Sequence, residues 1–130
     1  MNIKFAFAIP TYNRYKHLKR AVDSIINQKR DSDVEVTVVL SNSCSDDKTF
    51  NYIEELLSQK SDINFVAFNE ERKTSNIVEY EENFYNLSEK IPVSIDWVWL
   101  LGDDDYLYNT DSLSTVCDLI RTHKQKNLKL

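Results

Sequence analysis

The stretch Trp97-Val98-Trp99-Leu100-Leu101-Gly102-Asp103-Asp104-Asp105-Tyr106-Leu107 decides how this chain is read, because five apolar residues expected of a buried strand stop abruptly in three consecutive carboxylates. Adjacent ionised aspartates repel one another, and Tyr106-Leu107-Tyr108 brings no positive partner. Such a cluster is solvated, partly protonated or neutralised by a metal. Ligands that are all oxygen select Mg2+ or Mn2+, which take a few carboxylates and fill their remaining positions with water and phosphate oxygens. On the triplet alone, a solvated acidic turn closing a strand accounts for it equally well.

Working outward from this strand, the rest of the chain alternates between two periodicities. Ile3 to Ile9 is apolar on both faces apart from Lys4, the pattern of a strand buried between helix layers, and is expected to end at Pro10. From Arg14 to Gln28, Leu18, Ala21, Val22, Ile25 and Ile26 fall on one helical face. Val34 to Leu40 reads as a second strand, followed by the polar loop Ser41-Asn42-Ser43-Cys44-Ser45. Ser45 is the expected N-cap of a second helix, with Asp46 and Asp47 in its first turn and Phe50, Ile53, Leu56 and Leu57 on its inner face. Ile63 to Phe68 gives a third strand, and Ile77, Tyr80, Phe84 and Leu87 line another helix. Ile95 to Leu101 is the fourth strand, and Leu113, Val116, Leu119 and Ile120 line the last helix. The order βαβαβαβα with long crossovers predicts an α/β fold, a mostly parallel sheet with helices on both faces, in a single domain over 1–130.

Composition excludes several function classes. A net charge of −5 argues against a nucleic-acid partner, and the positive charge is local, clustered between Arg14 and Arg20, which suits a small anionic ligand. With Gly102 as the only glycine, neither the dinucleotide-binding fingerprint nor the P-loop is present, since both need several glycines. No stretch has the length and apolarity of a transmembrane helix, and the opening Met1 to Ile9 is too short for a signal sequence, so a cytoplasmic location is expected. Cys44 and Cys117 lack the spacing of a zinc site or a disulfide framework and are read as reduced thiols.

In an open α/β sheet the ligand lies beyond the carboxyl ends of the strands. The loops Pro10-Thr11-Tyr12-Asn13-Arg14, Ser41 to Ser45 and Gly102 to Asp105 should therefore converge. Together they supply a ring, amides, hydroxyls, a cation and a metal cluster, the set a nucleoside diphosphate would use. Taken singly, each loop is also ordinary turn chemistry. Arg14, Lys16 and His17 stand in a first helical turn, where cations oppose the helix dipole unless an anion sits there, although a solvated basic face is an equal account.

Ala8 to Arg14, Leu18, Ser24-Ile25-Ile26-Asn27-Gln28, Asn42 to Thr49 and Trp97 to Leu107, in that order, resemble the N-terminal half of the family 2 glycosyltransferases. The Leu-Leu-Gly-Asp-Asp-Asp wording is similar to that of bacterial enzymes of surface polysaccharide assembly. The resemblance implies a GT-A fold in which Pro10, Thr11, Tyr12 and Arg14 frame the nucleotide and the acidic cluster holds Mg2+ or Mn2+ on the diphosphate. Two departures stand out. Asn42 occupies the register where many members place a base-binding Asp, so UDP-sugar is only the default donor. Gly102 replaces the first carboxylate of the Asp-x-Asp-Asp motif. Asp104 then takes the metal position, with Asp105 beside it, and Asp103 is grouped with the nucleotide.

The resemblance further implies inverting transfer of a sugar to a glycan or lipid-linked acceptor, with a carboxylate base from an acceptor half expected beyond Leu130 and membrane association, if any, through that missing part. The chain is then a donor-binding domain that binds nucleotide without transferring sugar by itself. Two readings from other classes stay open. A receiver-like Mg2+-binding signalling domain shares parallel strands and acids, although it gathers its acids from two strand ends. A non-catalytic interaction module would keep the fold with degenerate loops, as Asn42 and Gly102 could indicate.

Overall fold

Residues 3–11 of the computed structural model, which describes residues 2–43, 48–69 and 85–125, form the central strand β1 (Ile3–Thr11). Every residue of β1 except Lys4 is buried, as its two-faced apolar pattern requires. After it come α1 (Tyr15–Ile26), β2 (Val34–Asn42), α2 (Thr49–Ser58), β3 (Asn64–Asn69), helical residues 85–90 (α3), β4 (Trp97–Leu100) and α4 (Ser112–Gln125). The sheet order is β3-β2-β1-β4, and every pairing is parallel.

The two faces of the sheet are covered by different helices. Ile3, Phe5, Phe7 and Ile9 of β1 join Val36, Val38 and Leu40 of β2 in one cluster with Leu18, Ala21, Val22 and Ile25 of α1, Ile53 and Leu56 of α2, and Leu113, Cys117 and Ile120 of α4. Ala8 and Val39 face the other way and meet Leu87 of α3. Phe7 stacks on Trp99 at a ring separation of 5.6 Å, and Phe5 meets the same indole edge-on at 6.5 Å.

Several boundaries differ from those expected. The ladder carries β1 past Pro10, because the Thr11 carbonyl still accepts from Ser43 N at 2.9 Å. β4 is shorter than Ile95 to Leu101 and only half buried. Among the described residues it pairs with β1 alone, so Trp97 and Trp99 turn to the core while Val98 and Leu100 stay exposed. In α2 the buried set is Thr49, Tyr52, Ile53 and Leu56, with Phe50 and Leu57 outward. Tyr52 lies edge-on against Tyr15 of α1 at 5.5 Å, and that contact sets the helix rotation. In α4, Cys117 fills the inner position and Leu119 is exposed. Cys117 is a free cysteine buried in the core. Cys44, the expected cap Ser45 with Asp46 and Asp47, and Ile77, Tyr80 and Phe84 lie outside the described residues.

Arg121 ties α4 to the start of β2. Its guanidinium donates to both carboxylate oxygens of Asp33, at 2.6 and 3.2 Å, and also reaches Asp31 and Asp118. The hydrogen bond from Arg121 holds the Asp33 carboxyl below the usual carboxylate range. A depressed carboxyl contributes stability that is present above its ordinary value and lost as pH falls through the folded-state value. Arg121→Gln should therefore lower the urea midpoint at neutral pH, and its deficit against the wild type should shrink as the solution is acidified below the carboxylate range. A deficit that stayed constant down that titration would show that the pair contributes nothing through ionisation.

Candidate functional site

Parallel pairing brings three strand ends level. Thr11 stands opposite Asn42, and Asn42 opposite Asn69, so β1, β2 and β3 finish side by side. β4 stops earlier, with Leu100 opposite Ala8 and Leu101 N bonded to the Ala8 carbonyl at 3.0 Å. At about 3.3 Å per extended residue, the chain beyond Leu101 then runs alongside the last residues of β1. Asp103 accordingly meets Thr11, whose hydroxyl donates to its carboxylate at 2.9 Å.

Asp103 is buried, and burial pushes its carboxyl above the ordinary carboxylate value. The Thr11 hydroxyl and the Arg14 guanidinium act in the opposite direction. Arg14 sits at the N-cap of α1 without a side-chain cap bond, just after Asn13, whose φ of 50° is a left-handed conformation that asparagine tolerates. This sharp entry to α1 carries the Arg14 guanidinium to 3.7 Å from Asp103 and 3.6 Å from Asp104. The positive partner that the neighbours of the acidic triplet lack thus comes from the first strand-end loop.

The acidic loop itself is a turn closed by Asp105 N on the Gly102 carbonyl at 3.0 Å. A Cβ on Gly102 would lie 2.9 Å from Asp104 Oδ1 and 3.1 Å from Asp105 Oδ2, so the two carboxylates fold back over the bare glycine. Asp103 instead accepts from the Thr11 hydroxyl. Among the described residues no three acidic, histidine or cysteine side chains gather as a ready metal cage. Two convergent carboxylates nevertheless fit a hard divalent cation that draws its other ligands from water and phosphate. Both Asp104, with its side chain 59% exposed, and Asp105 are open to solvent.

Asn42 is buried, and its amide donates to Asn69 Oδ1 at 2.9 Å. Pro10 is buried within β1, whereas Tyr12 is half exposed at the mouth of the loop. The structure therefore brings Thr11, Arg14, Asp103 and Asp104 into one contact chain, with Asp105 beside Asp104 and Asn42 beside Thr11. Sequence reading missed Asn69, although its place at the end of an expected strand was a usable signal. It also missed Lys48, which joins Asn13, Arg14, Tyr15, Lys16 and His17 around a basic depression of about 430 Å³ at the start of α1.

Comparison with solved structures finds this same architecture. S. aureus TarS is similar with a TM-score of 0.76 and 22% identity, over 94% of this chain and 20% of that one. Residues 1–349 of TarS in complex with UDP-GlcNAc give a TM-score of 0.68 at 22% identity, covering 94% of this chain and 32% of that one. The mannosyltransferase PcManGT from Pyrobaculum calidifontis, in complex with GDP-Man and Mn2+, gives 0.65 at 17% identity, covering 90% and 32%. The chain thus spans a third or less of these proteins, and the likeness establishes a GT-A fold. No curated protein matches the sequence. The family model described as glycosyl transferase family 2 matches residues 6–126, and the chain belongs to this family.

Proposed function

We propose that this chain binds a nucleoside-diphosphate sugar together with Mg2+ or Mn2+, as the donor-binding domain of an inverting glycosyltransferase. The observation that carries the reading is the contact chain from Thr11 through Asp103 and Arg14 to Asp104, built at the carboxyl ends of the parallel strands. Complexes of the similar structures with UDP-GlcNAc and with GDP-Man and Mn2+ support the ligand class. Asp104 and Asp105 would hold the cation, which supplies positive charge against the diphosphate as the sugar bond breaks. Thr11 fixes Asp103 by its hydroxyl, and Arg14 adds a guanidinium where the phosphates approach. Tyr12 offers its exposed ring to the nucleotide. No described carboxylate is assigned as the base that activates the acceptor hydroxyl. The acceptor is a glycan or a lipid-linked saccharide of polysaccharide assembly, and the site works in the cytoplasm. Among the described residues no helix is long and apolar enough to cross a membrane.

The test is a titration of UDP, CDP, GDP and dTDP with Mn2+ and with EDTA. Mn2+ should tighten nucleotide binding. Because the Asn42 amide donates to Asn69, discrimination among bases should stay below about a hundredfold. A larger preference would show that other contacts read the base. Metal binding without nucleotide would favour the receiver-like reading, and binding of neither would favour an inert interaction module.

A further inference from the structure

Polar side chains recur every four residues along one side of α1 and just past its end, and each bonds the acidic loop or the chain that follows it. Arg20 Nη2 donates to the Asp104 carbonyl at 2.9 Å, and the same guanidinium lies 4.5 Å over the Tyr106 ring. One turn on, Ser24 Oγ accepts from Leu107 N at 3.0 Å. Just past the C-cap Asn27, Gln28 Oε1 accepts from Leu113 N at 3.0 Å, while its amide donates to the Asn109 carbonyl. Leu107, Leu113 and Gln28 are buried, so an unpaired N–H at either leucine would carry a desolvation penalty.

We propose that Ser24 and Gln28 are positioning residues for the metal-binding carboxylates, an inference that rests on the nucleotide-and-metal reading above. Between β4 and α4 the chain has no regular structure of its own, and it carries three like charges at its start. The turn bond of Asp105 N on the Gly102 carbonyl shapes the acidic loop but does not fix where that loop stands against the sheet. The ladder does so, by fastening residues 104 and 107 to α1, whose N-cap is Arg14, and residues 109 and 113 to Gln28 just past the C-cap of that helix. The nucleotide loop and the acidic loop therefore take their positions from the same helix. Ser24 lies ten residues beyond Arg14, about 15 Å along the axis, too far to touch a ligand held at the strand ends.

The experiment compares wild type, Ser24→Ala, Ser24→Thr and Gln28→Ala, with folding checked by circular dichroism. Mn2+ affinity is read from the electron paramagnetic resonance of free Mn2+ at saturating UDP, and UDP affinity is measured separately in EDTA. Ser24→Ala should weaken Mn2+ binding about tenfold, as loss of an outer support typically does, and leave metal-free UDP affinity within about twofold. Ser24→Thr, which keeps the hydroxyl, should restore Mn2+ affinity. Gln28→Ala should act in the same direction as Ser24→Ala, and if it does not fold the serine pair decides. Wild-type Mn2+ affinity in folded Ser24→Ala would overturn the inference while leaving the site intact. Failure of the wild type to bind Mn2+ with UDP would overturn the site reading, and this assignment with it.

Discussion

Replacing Asp104 with alanine should raise the Kd for UDP in the presence of Mn2+ at least about tenfold, or about 1.4 kcal/mol, without lowering affinity in EDTA. Both halves of this expectation come from how its carboxylate is shared. Oδ1 converges with Asp105 over Gly102, so its removal halves the pair of oxygen-bearing groups available to a hard cation. Oδ2 faces Arg14, so its removal also leaves that guanidinium with Asp103 alone and freer to meet a phosphate. Asp105→Ala should also weaken the Mn2+ complex, but with no gain in EDTA, since Asp105 makes no contact with Arg14 among the ion pairs of the loop. Isothermal titration of UDP with Mn2+ and with EDTA checks both variants. An unchanged metal dependence in Asp104→Ala would remove Asp104 from the metal site.

The second large effect is on stability. Phe7→Ala should cost about 3–5 kcal/mol, the range for truncating a fully buried phenylalanine. Phe7 has no exposed surface, stacks on Trp99 and touches Phe5, so the cavity opens where the sheet meets the α1, α2 and α4 layer. A domain is stable by only about 5–15 kcal/mol, which puts this variant close to unfolding. Phe50→Ala, on the outward face of α2, should cost under about 1 kcal/mol. Urea unfolding of the two variants separates them. Equal costs would contradict the assignment of one ring to the core and the other to the surface.

The contrast between those two phenylalanines marks the limit of what periodicity reveals. β1 and β2 are legible because their apolar residues leave a single choice of buried surface, and α1 is legible apart from Ile26, expected on the inner face and exposed in the structure. In α2, Phe50, Ile53, Leu56 and Leu57 make one plausible face and Thr49, Tyr52, Ile53 and Leu56 another, and hydrophobicity cannot rank them. The edge contact of Tyr52 with Tyr15 decides, and it belongs to tertiary structure. The same holds at the candidate site. Thr11, Arg14, Asn42 and the acidic triplet are legible as strand-end residues, but their pairings are not. The counter-ion of Asp103 and Asp104 is absent from their sequence neighbours and stands at the start of α1. Asn42, expected to face a base, gives one amide N–H to Asn69 through a register between β2 and β3 that no local pattern encodes. Ser24 and Gln28 carry the family resemblance without a visible role in the sequence, because their partners lie on the far side of the β4 crossover.

The place of the last strand beside the first has a consequence for the order in which the protein comes into being. The bond between Thr11 and Asp103 joins residues 92 positions apart, whereas β1, β2 and β3 associate through much shorter crossovers. Closing the longer loop is entropically harder, and contacts of that span form late. During synthesis, moreover, the N-terminal strands leave the ribosome before β4 exists. On the reading proposed above, the nucleotide loops would assemble first, on a nascent sheet without the carboxylates proposed for the cation, and sensitivity to metal would come only with the docking of β4.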